Sequence, residues 1–315
     1  MPFVSGRSYF VHFGAAEAAE GSSTKASRQM SAILRTVITS NDRPTWKIAL
    51  AMYEETIAEM QIRAPAERNA KLAAFLGAVN ADMQLKAWWY AQQVNAERLR
   101  MSDHSWIHVQ KVMNIALRLL RLLSRRNVDP VVVTAHGFTA KDAEVVVAAA
   151  ALLHDTGMSI HRTDHEAYSL FLAARKLDSL LEDVYEEPAR SILASETLHA
   201  IIGHRRRGDP LTLEAGIVRV ADALDMEQGR SRVPFEANRP NIHSLSAAAI
   251  DDVRIDEGED RAIRIEIEMN NSAGIFQVDE LLATKLRGSG LEDHVEVTAR
   301  IDAEHEKRLV PIFRI

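Results

Sequence analysis

The feature that most constrains this chain is a long apolar stretch that ends in two polar residues. The stretch Val145–Leu153 contains no polar side chain, and the segment that starts at Asp142 is rich in alanine and valine. A helix that is apolar all round is typical of a protein interior. His154 and Asp155 follow directly, and Gly157 favours an end to the helix there. Two polar groups at the end of a buried helix are costly unless they are paired or bind a cation.

Four more residues with metal-ligand side chains fall in or beside predicted helices. His108 lies on the preceding helix, His165 in the first turn of the next helix, and His204 at the end of a later one. Asp222 lies within the apolar run 216–224, where an unpaired carboxylate would be costly. One site for one or two divalent first-row metal ions would satisfy all of these groups together. The chain has no cysteine, so its metal ligands must be histidines and carboxylates.

The order of these residues resembles the HD superfamily of metal-dependent phosphohydrolases over residues 104–232. The runs 200–204 and 217–225 resemble the last ligand helices of the subgroup that binds two metals. The resemblance implies two divalent ions, drawn from Mn, Fe, Co, Ni or Mg, with His154 and Asp155 at the catalytic centre. It also implies the full ligand set: His108, His154, Asp155 and Asp222 hold one ion, and Asp155 bridges to a second ion held by His165 and His204.

The chain departs from its relatives at two points that concern the substrate. Many relatives carry a lysine three residues after the HD aspartate, where this chain has Met158. The Gly-Tyr-Pro signature of the branch that cleaves cyclic di-GMP is absent, which argues against that substrate. The cations that could replace the missing lysine are Arg162, Arg205, Arg206, Arg207 and Arg230.

Three residues are predicted to bind the substrate: Arg205, Arg230 and His199. The arginines would neutralise charge on a phosphate. His199 is five residues before His204 and is turned about 140° from it around the helix, so it faces a different direction.

Three further residues flank the predicted ligands. His104 and His161 are expected at the surface, although a supporting role behind the ligands stays open. Asp225 shares a helix face with Asp222, and it either orients a ligand or faces solvent.

The predicted function is hydrolysis of a phosphoester or phosphoanhydride, of a nucleotide in particular, by a metal-activated water. Two alternatives stay open. The same ligands would suit a di-iron oxygenase of the HD type. The second alternative is a non-catalytic sensor that binds a nucleotide on the same fold.

The predicted fold class is mainly α, an HD-domain helical bundle with additions at both ends. We expect an N-terminal helical extension at 1–100, the HD metal-binding domain at 101–235 and a small α+β domain at 245–315. Alternation of apolar and charged residues predicts the order β-β-α-β-β for this last part. The elements are strands at 252–256 and 261–269, a helix at 278–286, and strands at 294–301 and 308–315.

Charge and hydropathy bear on partners and location. The net charge of −6 gives no basis for nucleic-acid binding, and the longest apolar stretch falls far short of the ~20 residues of a membrane span. No signal peptide is apparent. We therefore expect a cytoplasmic protein with no membrane partner and a small-molecule phosphate or nucleotide as substrate. An unpaired strand edge in the C-terminal domain favours a homodimer.

Overall fold

The computed structural model describes residues 53–99, 101–206, 208–226 and 242–301, without the side chains of 242–244. The chain divides into two compact units, Met1–Glu59 and Met60–Ile315. Of the first unit only the helical segment 53–59 is described, so the fold below is that of the second. The predicted three-part division at 1–100, 101–235 and 245–315 stays a prediction.

Most of the described chain is helical. The helices up to residue 226 are α1 (Ala70–Ala81), α2 (Met83–Arg98), α3 (Trp106–Arg125), α4 (Val131–His136), α5 (Ala140–Leu153), α6 (His165–Leu181), α7 (Ala189–Gly203) and α8 (Leu213–Leu224). A short 3-10 turn, Thr156–Ser159, joins α5 to the loop before α6. The mainly helical fold class is thereby confirmed.

Helix α5 is the centre of the helical core. Its residues from Val145 to Leu153 are all buried, and α1, α3, α7 and α8 pack against it. The buried helix predicted from the apolar stretch is therefore confirmed. Trp89 on α2 packs fully buried, and its indole Nε1 donates a hydrogen bond to the carbonyl of Leu152 at 3.0 Å. The end of α5 is thus fixed inside the molecule, and this determines where His154 and Asp155 lie.

Two helix starts differ in detail from the sequence pattern. Within the predicted helical extension, α1 and α2 are separate helices because Asp82 adopts an extended conformation and its side chain accepts a hydrogen bond from the amide of Leu85 at the start of α2. The pattern at Thr163 and Glu166 predicts a capping box, but α6 begins at His165 after Asp164 in a left-handed conformation, with no side-chain cap. A capping box is present instead at the start of α5.

The C-terminal part is a small three-stranded sheet with crossing helical turns. After α9 (Ile242–Ala248), strands β1 (Ile250–Glu257) and β2 (Ile263–Met269) pair antiparallel, as two neighbouring predicted strands allow. The side chains of β2 alternate between buried and more exposed positions, the pattern of a sheet with one covered face.

Strand β3 (Val295–Ile301) runs parallel to β2, so the chain must cross from one end of the sheet to the other between them. The crossing contains a π-helix, Gln277–Ala283, and a short helix α10 (Thr284–Leu286), where one α-helix was predicted. The predicted strand 308–315 lies outside the described residues. Within the described parts of the chain, no helix is long and apolar enough to cross a membrane.

Asp142 holds the start of α5. Its side chain is buried and accepts hydrogen bonds from Lys71 Nζ at 2.7 Å, from the amide and hydroxyl of Thr139 at 2.9 and 2.7 Å, and from the Tyr185 hydroxyl at 2.9 Å. Burial raises the pKa of Asp142, but the hydrogen bonds from Lys71, Thr139 and Tyr185 together lower it by more. The pKa of Asp142 is therefore below its ordinary value. The ionised form therefore stabilises the fold.

We expect Asp142→Asn to lower the free energy of unfolding at pH 7 by about 1–3 kcal/mol, because Lys71, Thr139 and Tyr185 lose a buried, charged acceptor. A depressed folded-state pKa stabilises the fold above the ordinary aspartate value of about 3.9, and the benefit disappears as pH falls through the lower folded-state pKa. The difference between wild type and variant in urea unfolding should therefore shrink from pH 7 to pH 3. The exposed Asp183→Asn variant is the control. A constant difference across this range would contradict the assignment.

Candidate metal centre

His154 sits at the end of α5 with one ring nitrogen aimed into the protein. Its Nδ1 donates a hydrogen bond to the carbonyl of Ala151 at 2.8 Å, which leaves Nε2 as the nitrogen with the lone pair. The ring is fully buried, and Nε2 has no hydrogen-bond partner among the described residues. An unsatisfied buried nitrogen costs about 1–3 kcal/mol, a cost that a bound cation would remove.

His204 repeats this arrangement at the end of α7. Its Nδ1 donates to the carbonyl of Ile201 at 2.5 Å, and its Nε2 faces the same interior point. The centroids of the His154 and His204 rings are 4.9 Å apart. Burial, together with the neighbouring charges of His154 and Lys285, lowers the pKa of His204 to about 3. The ring is therefore neutral, the form that binds a metal.

His108 enters the same interior from the first turn of α3. Its Nδ1 donates to Asp225 Oδ2 at 2.6 Å, and its Nε2 lies 3.5 Å from Asp155 Oδ2 and 3.4 Å from Asp222 Oδ1. A carboxylate behind a histidine fixes the ring orientation and raises its basicity as a ligand. Of the two predictions for Asp225, the structure agrees with the orienting one, and the residue is buried.

The carboxylate of Asp155 lies at the centre, and its two oxygens face different histidines. Oδ2 lies 3.5 Å from Nε2 of both His108 and His154. Oδ1 lies 3.2 Å from Nε2 of His165 and 4.0 Å from Nε2 of His204. Each carboxylate oxygen of Asp155 therefore lies near a different pair of histidines.

The electrostatics of the centre favour an ionised Asp155. Burial raises its pKa, but the charge of His154 and the hydrogen bonds from His108 and His165 lower it more, so the pKa lies well below its ordinary value. For His165, burial lowers the pKa, but the hydrogen bond and charge of Asp155 raise it above its ordinary value.

Three groups of three residues could each hold a metal ion, and neighbouring groups share a residue. Within each group the ligand atoms lie within 4.8 Å of one another. The groups are His108, His154 and Asp222; His154, Asp155 and His204; and His165, Glu166 and His204. All six predicted ligands are thus brought together, and this donor set of imidazoles and carboxylates suits divalent first-row metals. Glu166 belongs to one of these groups but was not among the six predicted ligands, although its position directly after His165 was a usable signal.

The prediction of a surface position for His104 is wrong. It is buried and not at the surface, with Nδ1 2.7 Å from the carbonyl of Ser102 and Nε2 3.9 Å from Asp155 Oδ2. Gln92 and Gln93 of α2 hydrogen-bond to its backbone and hold it there. No local pattern in the sequence signals these contacts. His161, by contrast, is exposed as expected.

The predicted substrate-binding residues have different positions. Arg205 lines an open cleft of about 530 Å³ beside the centre, and its Nε lies 3.9 Å from Glu166 Oε2. The other lining residues are Arg162, Thr163, Asp164, His165, Glu166 and Arg206. The Nε2 of His199 instead accepts a hydrogen bond from the amide of Leu211 at 2.9 Å. Arg230 lies outside the described residues.

Gly157 allows α6 to lie against the end of α5. A Cβ atom at this position would overlap the carbonyl oxygen of His165 and the amide of Ser169. The Ser169 hydroxyl accepts from the Gly157 amide at 2.9 Å and donates to the carbonyl of His154 at 2.6 Å. Because Gly157 has no side chain, the start of α6 can approach closely enough for His165 to contact Asp155.

A helical core whose central helix ends in His-Asp, ringed by histidines from neighbouring helices, is the architecture of an HD-type metal-binding domain. The HD domain family model matches residues 105–227. An uncharacterized protein of Methanocaldococcus jannaschii is 39% identical over 207 residues, which cover 66% of this chain and 80% of that protein. The chain belongs to the HD-domain superfamily of metal-dependent phosphohydrolases. No solved structure matches it.

We expect Asp225→Asn to weaken Mn²⁺ binding about 10- to 100-fold, because His108 loses the charged group that orients it. The measurement is calorimetric titration of metal-stripped protein with Mn²⁺. The control is Asp252→Asn, which neutralises a half-exposed carboxylate on β1. Equal affinity in wild type and Asp225→Asn would show that Asp225 does not support the centre.

Proposed function

We propose that this protein is a two-metal phosphohydrolase that cleaves a phosphoester or phosphoanhydride bond, with a nucleotide as substrate. The observation that carries the proposal is the position of Asp155, whose two oxygens face separate pairs of histidines. The unpartnered Nε2 of His154 supports it, because that nitrogen needs a cation to be satisfied.

The ligands divide into two sets around Asp155. His108, His154 and Asp222 would hold one ion, and His165, Glu166 and His204 the other. Divalent ions bound there would lower the pKa of a coordinated water and polarise the phosphoryl oxygen under attack. The protein's own task is to keep these side chains fixed and dry, which the burial of His154, His204 and Asp155 achieves.

The cleft beside the centre supports a phosphorylated small molecule as substrate. Its volume of about 530 Å³ falls in the range of ordinary ligand sites. Arg162 and Arg205 line it and would neutralise phosphate charge through charge-assisted hydrogen bonds. Glu166 and Asp164 also line it, so a metal ion and the two arginines together would be needed to hold a polyanion there.

The test is metal analysis of the purified protein followed by a phosphoester panel with Mn²⁺, Fe²⁺, Co²⁺, Ni²⁺ and Mg²⁺. The panel covers nucleoside mono-, di- and triphosphates, cyclic nucleotides and dinucleoside polyphosphates. We expect turnover of at least one class, about two metal ions per chain, and a loss of kcat of about 100-fold or more in Asp155→Asn. The exposed Asp183→Asn variant should retain the rate of wild type.

Two outcomes would contradict the proposal. Metal-loaded protein that binds a nucleotide without converting any compound would instead favour a sensor. Iron-loaded protein that consumes oxygen when an organic substrate is added, but releases no phosphate, would favour a di-iron oxygenase.

A further inference from the structure

Lys285 reaches the metal centre from outside the region that matches the HD domain. It lies on α10, in the crossing between β2 and β3, whereas the family match ends at residue 227. Its Nζ donates a hydrogen bond to Oδ2 of Asp222. The other oxygen of Asp222, Oδ1, lies 3.4 Å from His108 Nε2 and 3.8 Å from His154 Nε2. One carboxylate therefore lies between the lysine and the histidines.

The buried guanidinium of Arg219 holds the backbone of Lys285 in place. From the face of α8, its Nε donates to the carbonyl of Lys285 at 2.9 Å and Nη2 to that of Thr284 at 3.4 Å. The same guanidinium donates to the carbonyls of Arg205 and Arg206, both at 3.0 Å, and to that of Gly208. The loop that carries Arg205 and the segment that carries Lys285 are thus fixed to one side chain.

Two further contacts seat this segment on the helical core. A Cβ atom at Gly216 of α8 would overlap the carbonyl of Ser289, so the two backbones touch directly. Arg206 forms an ion pair with Glu280 of the π-helix at 2.8 Å. The segment around Lys285 is therefore packed and tied at several points, and Lys285 is held next to Asp222 by its backbone as well as by its ammonium group.

Lys285 lies on the more open side of the centre. The side chains of Lys285 and Asp222 are 14% and 13% exposed, against 0% for His154 and 5% for Asp155. An ammonium group has three donors, and Asp222 takes one of them. The ammonium group is partly open to solvent and has donors beyond the one that Asp222 takes, so it can donate to an anion that enters the centre.

We propose that Lys285 is a substrate-binding residue, whose ammonium group donates a hydrogen bond to a phosphoryl oxygen of the bound substrate, with Arg205 as a second cation held by the same Arg219. The proposal rests on the proposed function for the identity of the anion. It assigns part of the site to the C-terminal α+β segment.

The experiment measures binding and does not depend on turnover. Calorimetric titration gives the Kd of inorganic phosphate for the Mn²⁺-loaded protein, and a separate titration gives the Kd of Mn²⁺ alone. We expect Lys285→Met to raise the phosphate Kd about 10-fold or more, since a charged hydrogen bond is lost, with Mn²⁺ binding within about 2-fold of wild type. Lys285→Arg, which keeps the charge, should fall between the two.

Arg287→Met is the matched control, because it removes an exposed cation two residues away on the same segment. Its phosphate Kd should equal that of wild type. Thermal melting of each variant identifies any that fails to fold, in which case Lys285→Arg and Lys285→Gln carry the comparison.

An unchanged phosphate Kd in Lys285→Met, or in Lys285→Gln, would overturn the proposal. So would a joint loss of Mn²⁺ and phosphate binding in a folded variant, because Lys285 would then act only by holding Asp222. Absence of phosphate binding by the Mn²⁺-loaded wild type would overturn it as well. If phosphate binding depends on Lys285 while the substrate panel shows no turnover, the inference stands and the proposed hydrolase activity fails.

Discussion

The arrangement of helices around the centre depends on one buried carboxylate, Asp155, that must stay within reach of imidazoles from four elements. A buried, unpaired carboxylate costs several kcal/mol, so the fold is stable only if compensating groups surround it. His108, His154, His165 and His204 supply these groups at 3.2 to 4.0 Å. Each belongs to a different helix or helix end, so α3, α5, α6 and α7 are constrained together.

The same local device serves two of these ligands. His154 and His204 each follow directly after the last residue of a helix, and each donates its Nδ1 hydrogen to the carbonyl three residues earlier. A carbonyl in the last turn of a helix can accept this bond, and the bond selects the tautomer of the ring. Nε2 is then left for the interior. The position of a histidine at a helix end thus determines which nitrogen faces the centre.

The sequence was informative where one helix or its ending was enough to locate a residue. The buried course of α5 and the order of the six predicted ligands could both be inferred locally. Residues brought in by long-range contacts could not. His104 is placed by Gln92 and Gln93, and Lys285 is placed by Arg219 across 66 positions of sequence. His199 has its ring turned to the Leu211 amide, a contact that helical spacing alone does not reveal.

Arg219 has a consequence for how this family can vary. Its guanidinium is buried and donates to carbonyls of two segments that are distant in sequence, Arg205–Gly208 and Thr284–Lys285. If evolution removed the C-terminal segment, the guanidinium would lose the carbonyls of Thr284 and Lys285, and with them part of what favours an arginine there. Arginine at this position should therefore be inherited together with the segment, and homologues that lack the segment should carry a smaller, uncharged residue there. The stretch of sequence that is inherited as a unit would then extend beyond residues 105–227, the part that matches the HD domain.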